Sequence, residues 1–367
     1  VRAAAGDREA SRSEFRKRSE AAQILNGISD HLPQQLSSES NTASRANSAD
    51  APSSAADHVQ IGDEAAGQRI DNYLLRHVKG VPRSRLYRVL RRGEVRVNKG
   101  RVRPSYRLRQ GDWVRIPPLR SAEPVPPERP RESELRRLAE AILYEDDRII
   151  VVNKPSGLAV HGGSGLSYGL IEVMRFLRPE LGTLELVHRL DRDTSGCLMM
   201  SKRGSALREL HRLMRARAIG KGYTALLAGR LSQARAIVEA PLRKNILRSG
   251  ERVVRVDPVA GKPAQTRFRR LRELGEMTLV EAEPLTGRTH QIRVHAAHLG
   301  APVAGDEKYG DEEANRSLRR SGLKRLFLHA AELSFAPTYS DRPIRVVAPL
   351  PQALARIVAA LERPHGR

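Results

Sequence analysis

The apolar positions of this chain change rhythm along its length, and the changes divide it. Residues 1 to 58 show no sustained apolar period and are rich in Ser, Ala, Asn and Gln, which predicts a disordered extension. Next, Ile70, Leu74, Leu75 and Val78 recur at helical spacing and stop near Gly80. Leu86, Val89 and Leu90 form a second helical stripe, opened by a Ser84 cap and stopped at Gly93. Short strand-like pieces follow: Val95-Arg96-Val97, a turn at Asn98-Lys99-Gly100, and Trp113 to Ile116 before Pro117. Residues 59 to 120 therefore read as a small module of two helices and a short sheet. Residues 121 to 140, with Pro124, Pro126, Pro127 and Pro130, read as a semi-extended linker.

From residue 141 to 367 the pattern mixes both periods. Ile142-Leu143, Ile149 to Val152, Thr278 to Val280 and Ile344 to Val347 are strand-like, whereas Ser205 to Arg217 and Thr289 to Leu299 are helical. No βαβ repeat and no internal duplication is visible, so the pattern predicts a mixed α+β fold.

Charge sharpens this division. The 367 residues hold 65 Lys+Arg against 42 Asp+Glu, a formal net charge of +23, and 55 of the 65 cations are arginine. Residues 1 to 58 carry 7 basic and 8 acidic side chains, whereas residues 67 to 120 carry 16 against 3. Arginine pairs bidentately with phosphate and stacks on bases, so a basic module with Arg83, Arg85, Arg88, Arg91 and Arg92 on and around its second helix, and Lys99 at the turn, predicts a nucleic-acid-binding face. An aromatic content of 4% argues against recognition built on stacking platforms. The chain has no apolar run long enough to span a bilayer and no apolar core of a signal peptide within residues 1 to 58. With one cysteine, Cys197, an internal disulfide and a Cys-rich zinc site are excluded, and a cytoplasmic setting is expected.

The densest polar cluster of the large region is His188-Arg189-Leu190-Asp191-Arg192-Asp193-Thr194-Ser195-Gly196, between apolar Leu184 and Leu186 and apolar Leu198 to Met200. A polar loop feeding a buried strand is a common seat for chemistry. Asp191 lies between Arg189 and Arg192, either of which would keep it ionised, ready to act as nucleophile or base. Asp193 is its rival: alternation would aim both carboxylates to one side, as in a glycoside hydrolase. The structural alternative is a loop whose Asp, Thr and Ser only cap turns.

A second cluster runs from Leu285 to His295, with Thr286 or Thr289 placed to cap the helix that follows. Gln291, His295 and His298 share a helical face, yet His290 and His295 are five apart and no cysteine is near, so no metal is expected; RNA contact or satisfied core histidines are. Gly162-Gly163-Ser164-Gly165 lacks the Gly-Lys-Ser/Thr of a nucleotide loop. Tyr223, in a strand-like run, is a core residue by default.

Several motifs occur in order: N-K-P-S-G-L-A-V-H from Asn153, H-R-L-D-R-D-T-S-G from His188, K-G-Y from Lys221, G-K-P-A-Q-T from Gly261, T-G-R-T-H-Q-I-R-V-H from Thr286 and R-L-F-L-H-A from Arg325. In this order they resemble the RluA family of pseudouridine synthases, over roughly residues 60 to 360. The stretch R-I-D-N-Y-L-L through G-D-W-V-R-I-P-P similarly resembles the small RNA-binding domain shared with ribosomal protein S-four.

The resemblance implies a largely antiparallel catalytic domain behind an S-four-type domain. It implies an isomerase that detaches the uracil of a uridine, turns it and rejoins it through carbon-5. Motif by motif, the catalytic aspartate falls on Asp191 and its salt-bridge partner on Arg293. Tyr223 would pack against the base and assist proton removal, Arg189 would fill the place of the flipped nucleotide, and Leu328 would line the pocket. Asp193, Thr194 and Ser195 would shape the loop. No metal, redox cofactor or phosphate donor is implied. The segments G-E-V-R-V-N-K, V-H-G-G-S-G-L-S and K-N-I-L-R-S-G-E-R-V-V-R-V point to members acting on large-subunit (23S) ribosomal RNA. The expected partner is thus large-subunit ribosomal RNA, met by a monomer with no membrane and no small-molecule cofactor. The competing readings are a non-enzymatic RNA-binding or ribosome-assembly factor, the same chemistry on transfer RNA, and a hydrolase using Asp191 and Asp193.

Overall fold

The computed structural model describes residues 56–78, 81, 83–119, 130–162, 168–181, 184–246 and 252–362. They fall into two units, on either side of residue 130.

The first unit contains strand β1 (Asp57–Gln60), helices α1 (Ile70–His77) and α2 (Arg83–Arg92), and strands β2 (Arg96–Val97), β3 (Gly100–Arg101) and β4 (Trp113–Ile116). The strands pair antiparallel in the order β1-β4-β2-β3. Ile70 and Leu74 from α1 and Leu86, Val89 and Leu90 from α2 pack onto Val97, Val114 and Ile116, which all face one side of the sheet. Asn98 and Lys99 take positive φ of 48° and 67°, which closes the β2–β3 hairpin in two residues. Two boundaries differ from the sequence pattern. Asp57 and His58, expected in the disordered extension, belong to β1, and residues 1–55 lie outside the described set. Ser84 is not a cap, because α2 already begins at Arg83.

In the second unit the elements are α3 (Glu132–Ala139), β5 (Ile142–Glu145), β6 (Ile149–Lys154), α4 (Leu170–Leu177), β7 (Glu185–Leu186), β8 (Ser195–Ser201), α5 (Gly204–Arg215) and β9 (Gly220–Ala228). There follow β10 (Arg235–Glu239), β11 (Leu242–Ile246), β12 (Arg252–Val256), β13 (Gln265–Leu274), β14 (Met277–Pro284), α6 (Gln291–His298), α7 (Glu312–Arg320), β15 (Leu328–Phe335), β16 (Ile344–Val347) and α8 (Gln352–Glu362). One mixed sheet of 10 strands runs β10-β13-β14-β9-β15-β8-β6-β5, with β16 beside β15 and β7 beside β8. Every pairing is antiparallel except β15 with β8. The fold is therefore α+β with a largely antiparallel sheet.

Centre strands β6 and β8 are apolar on both faces, as strands covered on both sides must be. Ile150, Val152, Leu198 and Met200 pack under α3 and α4, and Ile149, Val151, Cys197 and Met199 pack under α5. Cys197 is thus a small buried core residue. The expected linker is corrected here: Glu132–Ala139 is a helix, since Leu135, Leu138 and Ala139, at i, i+3 and i+4, bury one stripe against α4. At Gly196 a tight crossing meets φ of +109°, and a Cβ would lie 2.2 Å from the Ala330 carbonyl oxygen. Only glycine lets β8 pass β15 there, which accounts for the last residue of the H-R-L-D-R-D-T-S-G motif.

Candidate active site

The turn before β8 carries the carboxylate at the centre of the site. The Thr194 N–H bonds the Asp191 carbonyl at 3.2 Å, closing a turn over Asp191–Thr194. This corrects the expectation that alternation aims Asp191 and Asp193 to one side, because alternation is a property of extended chain and these residues are not extended. Arg192 is spent on Asp193, with Nε 3.0 Å from Oδ1. The cation that faces Asp191 comes from α6 rather than from flanking Arg189 and Arg192: Arg293 Nη1 is 3.8 Å from Oδ2, and His290 Nε2, at the helix N-terminus, is 3.9 Å from Oδ1.

Arg293 is aimed by another residue. Its Nε and Nη2 both donate to Asp306, each at 2.6 Å, so the guanidinium is gripped at two points and turns Nη1 toward Asp191. Asp306 is buried and also accepts the backbone N–H groups of Lys308 and Tyr309. Burial disfavours the Arg293 cation, but the hydrogen bonds and charge of Asp306, and then the charge of Asp191, more than offset it and raise its pKa. Burial also works against the Asp306 anion, and Arg293 overrides it to leave the carboxyl below its ordinary value. Tyr309 lies under the guanidinium, 5.0 Å from ring centre to Cζ.

His290 sits at φ of 53°, in the left-handed region, as the residue that opens α6. Thr286 and Thr289 do not cap that helix. Instead the Thr286 hydroxyl donates to Gln291 Oε1, which also accepts the Arg288 N–H. Tyr309 Oη accepts the Val254 N–H at 2.9 Å and lies 2.8 Å from His290 Nδ1, an arrangement suited to a neutral ring with its proton on Nε2, the Asp191 side. Burial lowers the His290 pKa against the opposing charge of Asp191.

A cavity of about 300 Å³ opens beside Asp191, lined by Arg189, Tyr223, Ile292, Arg293 and Leu328. It has room for one pyrimidine ring. Tyr223 enters from β9 and Leu328 from the start of β15, the strand between β9 and β8. Burial first, then the charge of Asp191, push the Tyr223 phenol well above its ordinary range, so it stays a neutral hydroxyl. On the other side of Asp191 an open cleft of about 1340 Å³ is lined by Lys154, Arg192, Asp193, Arg319, Lys324 and Arg325. Arg189 and Arg293 border both spaces. Asp191 thus stands where a basic cleft meets a one-ring pocket.

Sequence reasoning missed two supports of this site. Asp306, 13 positions from Arg293, gave no signal beyond a carboxylate next to Gly305. Lys154 has no signal in the sequence beyond its place in the N-K-P-S-G-L-A-V-H motif. It is 0% exposed, and its Nζ donates to the carbonyls of Pro155, Leu158 and Arg192 at 3.0, 2.7 and 2.8 Å. With Ser156 Oγ donating to the Asp193 carbonyl at 2.7 Å, the N-K-P-S-G loop holds the Asp191 turn from beneath. Burial, opposed by Asp193, lowers the Lys154 pKa to about 7.

Other predicted residues lie apart. Arg85, Arg88, Arg91, Arg92 and Lys99 are exposed on the first unit; Arg83 begins α2 and its side chain is outside the described residues. His295 is a satisfied core histidine, between Thr266 Oγ1 at 2.8 Å and the Ala240 carbonyl at 2.9 Å. Gly163 to Gly165 fall outside the described residues.

Comparison with known proteins decides the family. The pattern described as RNA pseudouridylate synthase matches residues 148–298 and the S4 domain matches residues 68–114. The ribosomal large subunit pseudouridine synthase C of Yersinia pestis is 52% identical over 306 residues, spanning 83% of this chain and 95% of that protein. The chain belongs to the RNA pseudouridylate synthase family. The protein of the same name from Escherichia coli strain K12 is 53% identical over 306 residues, spanning 83% of this chain and 96% of its own length. Among solved structures, human RNA pseudouridylate synthase domain containing 4 superposes with a TM-score of 0.53 at 26% identity, covering 64% of this chain and 98% of that one. As a pseudouridine synthase the protein is an RNA-modifying isomerase, with an S4 domain ahead of the synthase domain.

Proposed function

We propose that this pseudouridine synthase converts uridines of large-subunit ribosomal RNA to pseudouridine, with Asp191 as the catalytic carboxylate. The observation that carries this is the position of Asp191 between the one-ring pocket and the basic cleft, faced by an arginine that Asp306 holds in place. The names of the relatives supply the choice of RNA.

In this reading a uridine leaves its stack and enters the pocket between Tyr223 and Leu328, while Arg189 takes its place in the helix. Asp191 opens the bond between ribose C1′ and uracil N1, as nucleophile on the sugar or as base on a ribose proton; both routes use the carboxylate that Arg293 faces. The detached uracil turns and C5 bonds to C1′ as the carboxylate–C1′ bond breaks, or as the proton taken from the ribose returns to it; the C5 hydrogen then leaves as a proton and N1 gains one. Atoms balance without an added group or electron. Tyr223, a neutral hydroxyl, packs on the turning ring. The S4 domain docks the RNA through Arg83, Arg85, Arg88, Arg91 and Arg92 of α2 and Lys99 of the hairpin. In this reading the chain works as a monomer in the cytoplasm beside its RNA.

The test is a site-resolved pseudouridine map of ribosomal RNA from a deletion strain carrying wild type or Asp191→Asn. Wild type is expected to restore one or more sites and the variant none. Restoration by the variant would remove the catalytic assignment, and missing sites on transfer RNA alone would move the substrate.

A further inference from the structure

The outer face of the small sheet is not used by any role assigned so far. Along β4 the side chains alternate, with Val114 and Ile116 turned into the core and Trp113 and Arg115 turned out. Trp113, the single tryptophan of the chain, is 51% exposed. In the adjacent row His58, Arg115, Arg96 and Arg101 stand opposite one another across all four strands. Among the described residues none of Arg96, Arg101, Arg115 and Lys99 is within ion-pair distance of a carboxylate. Arg96 and Arg115 rest on backbone carbonyls of Gly93 and Glu94, which orient their guanidinium groups without neutralising them.

Like charges directly opposite on neighbouring strands oppose sheet formation. A row of cations without carboxylates is compensated when a polyanion lies across it. An exposed indole beside such a row adds a surface on which a base stacks, and base stacking with flanking arginine is how single strands are held without sequence preference. A duplex hides its base faces and would use only the charge.

We infer that this sheet face binds an unpaired stretch of the RNA substrate, with one base stacked on Trp113 and the phosphates along the Arg96, Arg101 and Arg115 row. It rests on the RNA reading above and extends the S4 contact from the α2 face to the sheet.

Because Trp113 is the only tryptophan, its emission reports this face alone in the full-length chain. Titration with a short single-stranded oligouridylate is expected to quench and saturate that emission, and a blunt RNA duplex of equal length is expected to leave it nearly unchanged. Trp113→Ala should weaken oligouridylate binding, read by anisotropy of a labelled strand, by roughly tenfold. Arg96→Gln with Arg101→Gln should lower the slope of log affinity against log salt by roughly one to two. Unchanged emission at oligouridylate concentrations that saturate the anisotropy signal would overturn the inference, as would equal quenching by the duplex. Pseudouridine formation by wild type is followed in parallel. If it proceeds while the emission stays unchanged, this surface fails alone; if it is absent while Trp113 is quenched, the substrate reading fails and the surface stands.

Discussion

On the large sheet Arg267 lies opposite Glu283, Arg269 lies opposite Glu281, and Arg345 reaches Glu332 on the neighbouring strand at 2.7 Å. On the small sheet Arg96 lies opposite Arg115 on one side and Arg101 on the other. The residue type is the same and the neighbours differ: Arg269 faces Arg235 on β10 but has Glu281 on its other side, whereas both cross-strand neighbours of Arg96 are arginines. Where arginine meets carboxylate across strands it supports the sheet by a few tenths of a kcal/mol, and where it meets arginine it opposes it by a similar amount. A carboxylate neighbour thus ties an arginine to the fold, and the small-sheet row, which has none, is the one assigned above to a polyanion. Inside the large unit the same rule is enforced more strongly, since Arg293 and Asp306 are both buried and hold each other by two hydrogen bonds.

The largest way to break this contrast is to remove the buried match. Asp306→Asn leaves Arg293 a buried cation with a weaker partner, and scanning calorimetry should show about 3–5 kcal/mol of lost stability, with pseudouridine formation falling in the folded fraction. An unchanged melting temperature would mean that the pair is not needed to hold the site. A second buried group gives a pH signature. His329, 0% exposed, lies 2.8 Å from the Ser195 hydroxyl and 3.2 Å from the Ala348 carbonyl, and burial lowers its pKa to about 4. The unfolded chain takes up this proton near pH 6.5 and the folded chain only near 4. Its contribution is therefore complete above 6.5 and is lost as pH falls toward 4, on the order of 3 kcal/mol. Melting curves of His329→Gln should lose that part of the acid slope; an identical slope would assign it elsewhere.

The smallest effects test the surface rule itself. Glu281→Gln should destabilise the free protein, and Arg96→Gln should stabilise it, each by roughly 0.2–1 kcal/mol at low salt. Added salt should shrink both differences. Two changes of the same sign in calorimetry would refute the contrast between the sheets.

How much of this was legible beforehand depended on whether the signal was local. The stripes of Ile70 and Leu74 and of Leu86 to Leu90 mark the helices, and the order of the six motifs points to Asp191, Tyr223 and Arg293, which the fold brings to one cavity. The prolines before Leu135 and Leu138 mask their helical stripe, so α3 is not legible in the sequence. Strand alternation does not apply to the Asp191–Asp193 pair, because Asp191–Thr194 is a turn. Asp306 and Lys154 escaped because their partners are 13 and 38 positions away, and no spacing rule reports such contacts. Composition is silent on placement: few aromatics in total does not tell where one tryptophan stands, and Trp113 stands exposed beside a row of unmatched arginines.

The central claim is that the Asp191 carboxylate carries out an isomerisation, and the products of one incubation test it most directly. Target RNA treated with wild type should yield pseudouridine with no free uracil, and RNA treated with folded Asp191→Asn should yield neither. Free uracil from wild type, or pseudouridine from Asp191→Asn at the wild-type rate, would contradict it.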